Sequence, residues 1–213
     1  MSVLVEAAVD TFAGALAAQA DGVHRIELCG PLHEGGTTPS AGLIARCSER
    51  LLVSVHVLIR PRAGDFVYSD DEIEIMSKDI AVAKEFGVDG VVFGALTTEG
   101  EIDAGRLSEL ITMASPMRVG FHRAFDEVRD QDEALELLVS LQVDHILTSG
   151  GAPTAMAGAA RLRQLVERAG DRIGVIAGGS ITAVNAPTLV GVTGVRSVHG
   201  RAFHGVATAV ATL

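Results

Sequence analysis

Six ionisable side chains stand in short β-branched runs or at their ends: Glu6, Glu27, His56, Arg60, His122 and His199. Carboxylates beside imidazoles move protons, ligate divalent cations or grip cationic groups. An arginine fork suits carboxylate or phosphate, and Arg60 is the residue best placed to anchor such a ligand. Two segments concentrate this chemistry. Residues 58–69, LIRPRAGDFVYS, carry Arg60, Arg62, Asp65 and Tyr68 through a loop broken by proline and glycine, with Tyr68 expected as a lid. Residues 119–126, VGFHRAFD, carry His122, Arg123 and Asp126. Further along lie Ser149 in LTSGG, the run Gly178-Gly179-Ser180, and Gly200. Glycines at such places hold anions on backbone amides, or simply make the turn into a helix.

The elements that must position these groups alternate regularly. Strands are expected at 4–8, 25–29, 53–60, 90–94, 118–122, 145–149, 173–177 and 195–199. Helices are expected at 11–19, 41–50, 70–86, 104–114, 130–141, 154–169 and 181–190, with Gly87, Gly170 and Gly191 marking ends. Repeated βα units of this kind form a parallel sheet. The prediction is a TIM-type (β/α)8 barrel, one domain over 1–213, with its functional face at the C-terminal ends of the strands. After the last strand only 205–213 remain, enough for about two turns of helix. A shortened last helix would bare apolar barrel surface, which a second subunit would cover, so a homodimer or higher homo-oligomer is expected.

Alternation along a strand assigns faces. In 53–60 it turns Val53, Val55, Val57 and Ile59 outward, leaving Ser54, His56, Leu58 and Arg60 inside. The same rule places Glu6, Glu27, Cys29, His122, Ser197 and His199 inside. So many charged groups cannot stay unpaired in a core. The structural reading is a salt-bridge network in which Arg60 and Arg123 neutralise Glu6 and Glu27, Asp126 braces Arg123, and Arg62 with Asp65 locks the third loop. The functional reading is a catalytic set of Glu6, Glu27, His122, Arg123 and Asp126, with ligand-binding groups Arg60, Arg62, Asp65, Tyr68, Ser149, Gly178, Gly179 and His199.

The segments IELCGPLHEGGTTPS at 26–40, LIRPRAGDFVYS, VGFHRAFD and LTSGG resemble the CutC family, named for copper homeostasis, and the likeness runs from about Glu6 to His199. The resemblance implies a cytoplasmic copper-handling barrel and longer chains beyond residue 199. It also implies a copper ligand at Cys29, with a partner thiol at a position that is Ala8 in this chain, while Gly200 stands where a cysteine often follows the last-strand histidine. Cu(I) prefers thiolate and thioether donors. Cys29 would therefore need His122, His199 or His33 beside it. Cys47 falls within the second helix and reads as a small buried apolar residue.

Composition narrows the partners. With 17 basic and 27 acidic residues, a net charge of −10 opposes binding to nucleic acid or anionic lipid. No apolar run is long enough for a bilayer, no signal-peptide pattern opens the chain, and two cysteines make no disulfide framework, as in a reducing cytoplasm. The expected ligand is a metal or a small molecule. Three functions stay open on residues alone: copper handling, an enzyme acting on a small phosphorylated or otherwise anionic metabolite, and a non-catalytic oligomeric scaffold.

Overall fold

Polar caps set the rhythm of the chain. Thr11, Ser40, Ser69, Asp103 and Asp130 each accept a hydrogen bond from the first turn of the helix that follows, satisfying amides that the helix itself cannot. At Ser69 the cap is reciprocal, because the Glu72 carboxylate accepts from the Ser69 amide at 2.8 Å.

The computed structural model describes residues 3–201 and 203–211. Its strands are β1 (Leu4–Val9), β2 (Arg25–Leu28), β3 (Ser54–Leu58), β4 (Gly90–Phe93), β5 (Arg118–Phe121), β6 (His145–Thr148), β7 (Gly174–Gly178) and β8 (Ser197–Gly200). The helices between and after them are α1 (Phe12–Ala20), α2 (Ala41–Arg50), α3 (Asp70–Glu85), α4 (Ala104–Ala114), α5 (Gln131–Ser140), α6 (Ala159–Ala169), α7 (Ala186–Thr193) and α8 (Val206–Val210). All strand pairs are parallel, and β8 returns to β1 to close the barrel. The fold is the TIM barrel expected from the sequence.

The main apolar core lies between barrel and helices. Val5, Ala7, Ile26, Val55, Val57, Val91, Val119, Ile146 and Val175 face Ile44, Met76, Leu107, Leu135, Leu162 and Leu189, each large side chain contributing about 1.5–3 kcal/mol on burial. The opposite side of each strand builds an unusually polar interior. There His56 lies against Gly90 and His145 against Gly120, residues paired across adjacent strands. A Cβ at Gly120 would fall 2.3 Å from His145 Nε2, and one at Gly90 would fall 2.7 Å from His56 Cε1. The imidazoles occupy the volume that these two glycines leave.

Two helices begin later than the sequence pattern predicts. Helix α6 starts at Ala159 rather than 154, because Gly150 and Gly151, both at positive φ, fold 149–158 into a loop. Helix α7 starts at Ala186 rather than 181, after a turn in which the Thr182 amide donates to Asn185 Oδ1 at 2.8 Å. It also runs through Gly191 and ends at Gly194 (φ 74°), so the predicted stop at Gly191 is corrected. Helix α8 is short, at 5 residues, as expected. Its Val206 and Val210 are buried.

Candidate metal and ligand site

The C-terminal mouth opens into a cavity of about 470 Å³, within the size range of small-molecule sites. Its lining includes Glu27, Cys29 and His199, and next to them Arg60, with Phe66 and His122. These groups reach the mouth from β2, β8, β3 and β5 or the loops just after them, by the alternation that turns every second side chain inward.

Beneath Glu27 and His199 lies a chain of charges. Arg25 pairs with Glu6, and His199 Nδ1 stands 2.7 Å from the other Glu6 oxygen. His199 Nε2 lies 3.6 Å from Glu27 Oε2. Burial alone would raise the Glu6 carboxyl, but Arg25 and the hydrogen bond to His199 outweigh it and hold Glu6 ionised far below the usual carboxylate range. Burial would lower His199, yet the charge of Glu27 and the hydrogen bond to Glu6 raise it above 6.5. Glu27 is raised by burial, which His199 offsets only in part, and the negative charge of Glu6 adds to the rise.

The Cys29 thiol donates to Glu27, with Sγ 3.7 Å from Oε2. Burial first, then the charge and hydrogen bond of Glu27, push the thiol well above 9. Cys29 packs with Ala8 and Leu58 in a small apolar cluster separate from the main core. Cys47 sits in the main core and lines no part of the mouth. His33 is largely exposed beside Glu34 and does not line this cavity either.

After the neighbouring strand β3, Arg60 is braced by two loop carbonyls, Nη1 to Gly36 O at 3.0 Å and Nη2 to Gly64 O at 2.6 Å. Its guanidinium lies 4.9 Å over the Phe66 ring. His122 accepts the Ala124 amide at Nδ1, 3.2 Å away, so its proton sits on Nε2. Burial, reinforced by Arg60, pushes His122 down to about 3, keeping it neutral.

The expected pairing of Glu6 and Glu27 with Arg60 and Arg123 is corrected. Glu6 takes Arg25 and His199, Arg60 holds loop carbonyls, and Arg123 takes Asp126 at 2.8 Å and Ser149 Oγ at 2.9 Å. Asp126 also accepts from Thr148 Oγ1 at 2.5 Å and from the amides of Ser149 and Gly151, both at 3.0 Å. That leaves Asp126 as the clamp of the β6 end. Arg62 ties Asp65, Glu72 and the Val67 carbonyl together in the third loop. Tyr68 is buried beside Arg62 and is absent from the cavity lining, so its placement does not suit a lid. Gly179 lines the cavity; Gly178, Ser149 and Glu6 lie behind the lining.

Two interior residues escaped the sequence reading, Arg25 and His145. Arg25 stands two residues before Glu27 and shares its inward phase; His145 opens the 145–149 strand, whose faces were not assigned. His145 is pushed down to about 3 by burial and by Arg25, and His56 to about 4 for the same reasons. Among the described residues, Glu6, His56 and His145 are the one group whose potential ligand atoms all lie within 4.8 Å of each other. Arg25 already occupies Glu6 there, and a bound cation would face its guanidinium. The donors Cys29, Glu27 and His199 line the open cavity instead, where the charge of Arg25 also reaches Glu27 and His199 but is not their first influence.

Relatives place the chain. The CutC family profile matches residues 3–204. A copper homeostasis protein cutC homolog of Mus musculus is 44% identical over 196 residues, spanning 92% of this chain and 72% of that protein. A family protein CutC of Chromobacterium violaceum is 41% identical over 210 residues, 99% of this chain and 85% of that one. The crystal structure of CutC from Streptococcus agalactiae matches with a TM-score of 0.91 at 35% identity, covering 94% of this chain and 99% of that one. An aldolase structure, at a TM-score of 0.73 and 14% identity over 95% of this chain and 92% of its own, shares the fold alone. By profile, sequence identity and structure, the chain belongs to the CutC family.

Proposed function

We propose that this chain handles copper in the cytoplasm, taking the ion as cargo at the barrel mouth through the Cys29 sulfur with Glu27 and His199 beside it. One observation carries the reading: Cys29 Sγ and His199 Nε2 lie 3.7 Å and 3.6 Å from the same Glu27 oxygen, on the wall of an open cavity. The names of the relatives, copper homeostasis protein CutC, point the same way.

The surroundings suit a ligand set. Glu6 holds Nδ1 of His199, which leaves Nε2 toward Glu27 and the mouth, the carboxylate–histidine arrangement common behind metal ligands. The thiol must lose its proton to bind copper, and Glu27, already its acceptor and itself raised, is the adjacent base. One sulfur with one imidazole and one carboxylate is a mixed set, less selective for Cu(I) than a pair of thiolates. Because Cys29 and His199 both hold protons more tightly than usual, copper affinity rises with pH.

The cytoplasmic assignment is supported by two free, buried cysteines, since reducing compartments keep thiols unpaired. Among the described residues, no helix is long and apolar enough to cross a membrane. Self-association, the remaining part of the proposal, is supported by the exposed Val184 and Val192 around α7. The test is anaerobic competition for Cu(I) against a strong chelator. Binding lost in Cys29→Ser supports the proposal; weak binding that the substitution does not change would sink it.

A further inference from the structure

The part of the lining that Arg60, Phe66 and His122 supply has no role in holding a soft cation. The cavity as a whole is cationic in a protein of net charge −10: of the charged side chains lining it, Arg60, Arg123 and Arg201 outnumber Glu27. Positive groups gathered in a cleft raise the local concentration of anions.

Two donors in this lining are also unsatisfied. Arg60 Nε and His122 Nε2 are buried and have no hydrogen-bond partner among the described residues. Both residues line the cavity and both flank Phe66, the His122 ring 4.7 Å from it. A buried donor left without an acceptor costs about 1–3 kcal/mol, so two beside one cavity indicate that an acceptor belongs there. His122 is neutral with its proton on Nε2, a donor that accepts nothing at that atom.

A further part of the lining is backbone. Gly179 (φ 111°) and Ser180 (φ 58°) follow β7 and line the cavity with Ile181. Serine is rarely held in the left-handed region, and such conformations gather at ligand clamps. The amides of Gly179, Ser180 and Ile181 make no backbone hydrogen bond among the described residues. A side chain at 179 would press on Ser149 Cβ at 3.2 Å and the Ala155 amide at 3.3 Å, so this approach needs glycine.

We infer that the mouth binds a small organic anion, its terminal carboxylate or phosphate received by Arg60 and His122 Nε2–H beside Phe66, with the Gly179–Ser180–Ile181 turn lining the far side of the same cavity. The cavity of about 470 Å³ admits a metabolite-sized molecule, whose other end would reach Glu27, Cys29 and His199. The inference goes beyond copper handling and does not depend on it.

Inorganic phosphate and malonate serve as separate probes for the two anion classes, titrated calorimetrically into the full chain while the ¹⁵N signals of its histidine side chains are followed. The expected result is saturable binding of at least one probe with a shift of the His122 Nε2 signal. His122→Asn retains an acceptor for the Ala124 amide but removes the Nε2 donor, and should weaken binding on the order of tenfold to a hundredfold. Phosphate alone would identify a phosphate ester, malonate alone a carboxylate. Failure of both probes to move the His122 signal, or equal affinity in His122→Asn, would overturn the inference. Neither failure touches the copper assay, which reads Cys29.

Discussion

Glu6 Oε1 and His199 Nδ1 meet at 2.7 Å across the seam where β8 returns to β1. The two residues are register partners, so the contact that closes the barrel also orients the imidazole at its mouth. Fold and site are coupled at this pair: Arg25 fixes Glu6, Glu6 fixes His199, and His199 faces Glu27.

Breaking that chain at Glu6 should therefore be costly. Glu6→Gln leaves Arg25, only 7% exposed, without its countercharge. Removing one partner of a buried pair costs about 3–5 kcal/mol. Urea denaturation should show the midpoint falling at unchanged slope. A loss under about 1 kcal/mol would mean that the guanidinium finds another partner.

Acid should destabilise the protein in a window set by its interior histidines. His56, His122 and His145 titrate at about 4, 3 and 3 when folded, against 6.5 when unfolded. Between roughly pH 4 and 6.5 the unfolded chain holds more protons at these sites, so stability rises with pH by up to about 1.4 kcal/mol per unit for each histidine. His199 and Glu27 are raised, so their contributions are present at low pH and are lost as pH climbs through their folded values. The three neutral histidines outnumber them. Chemical denaturation across this range should show the positive slope, reduced in His145→Asn.

Two glycine substitutions should move stability in opposite directions. Gly120→Ala drives a Cβ to 2.3 Å from His145 Nε2 and should cost about 1–3 kcal/mol by overpacking. Gly42→Ala, in exposed α2 with nothing within 4 Å, should add about 0.5–1 kcal/mol. Thermal melts of the pair check the claim that the interior histidines are seated on glycine.

Ala8→Cys should strengthen copper binding. Ala8 already packs against Cys29, so a sulfur there would add a second soft donor to the mouth. Cu(I) affinity should rise by about an order of magnitude or more. Unchanged affinity in the reduced protein would argue that Cys29 is not a ligand.

The inward-facing set was legible because a strand's period of two is written in the residues themselves. Alternation in 53–60 assigned His56 and Arg60 correctly, and the same rule reached Glu6, Glu27, His122 and His199. It also implied Arg25, two residues before Glu27; His145, in a strand whose faces were not assigned, is buried as well. Pairings were not legible. Which side chain meets Glu6 depends on strand stagger around the closed barrel, and that brought Arg25 and His199 to it rather than Arg60 or Arg123. The late starts of α6 and α7 follow from glycine and Thr–Asn turns that a propensity reading absorbs into the helix.

The most direct test of the central claim is X-ray absorption at the copper edge on the loaded protein, beside Cys29→Ser. The account predicts one sulfur with nitrogen or oxygen neighbours in the wild type and loss of the sulfur in the variant. A copper shell without sulfur, or one that the substitution leaves unchanged, would contradict it.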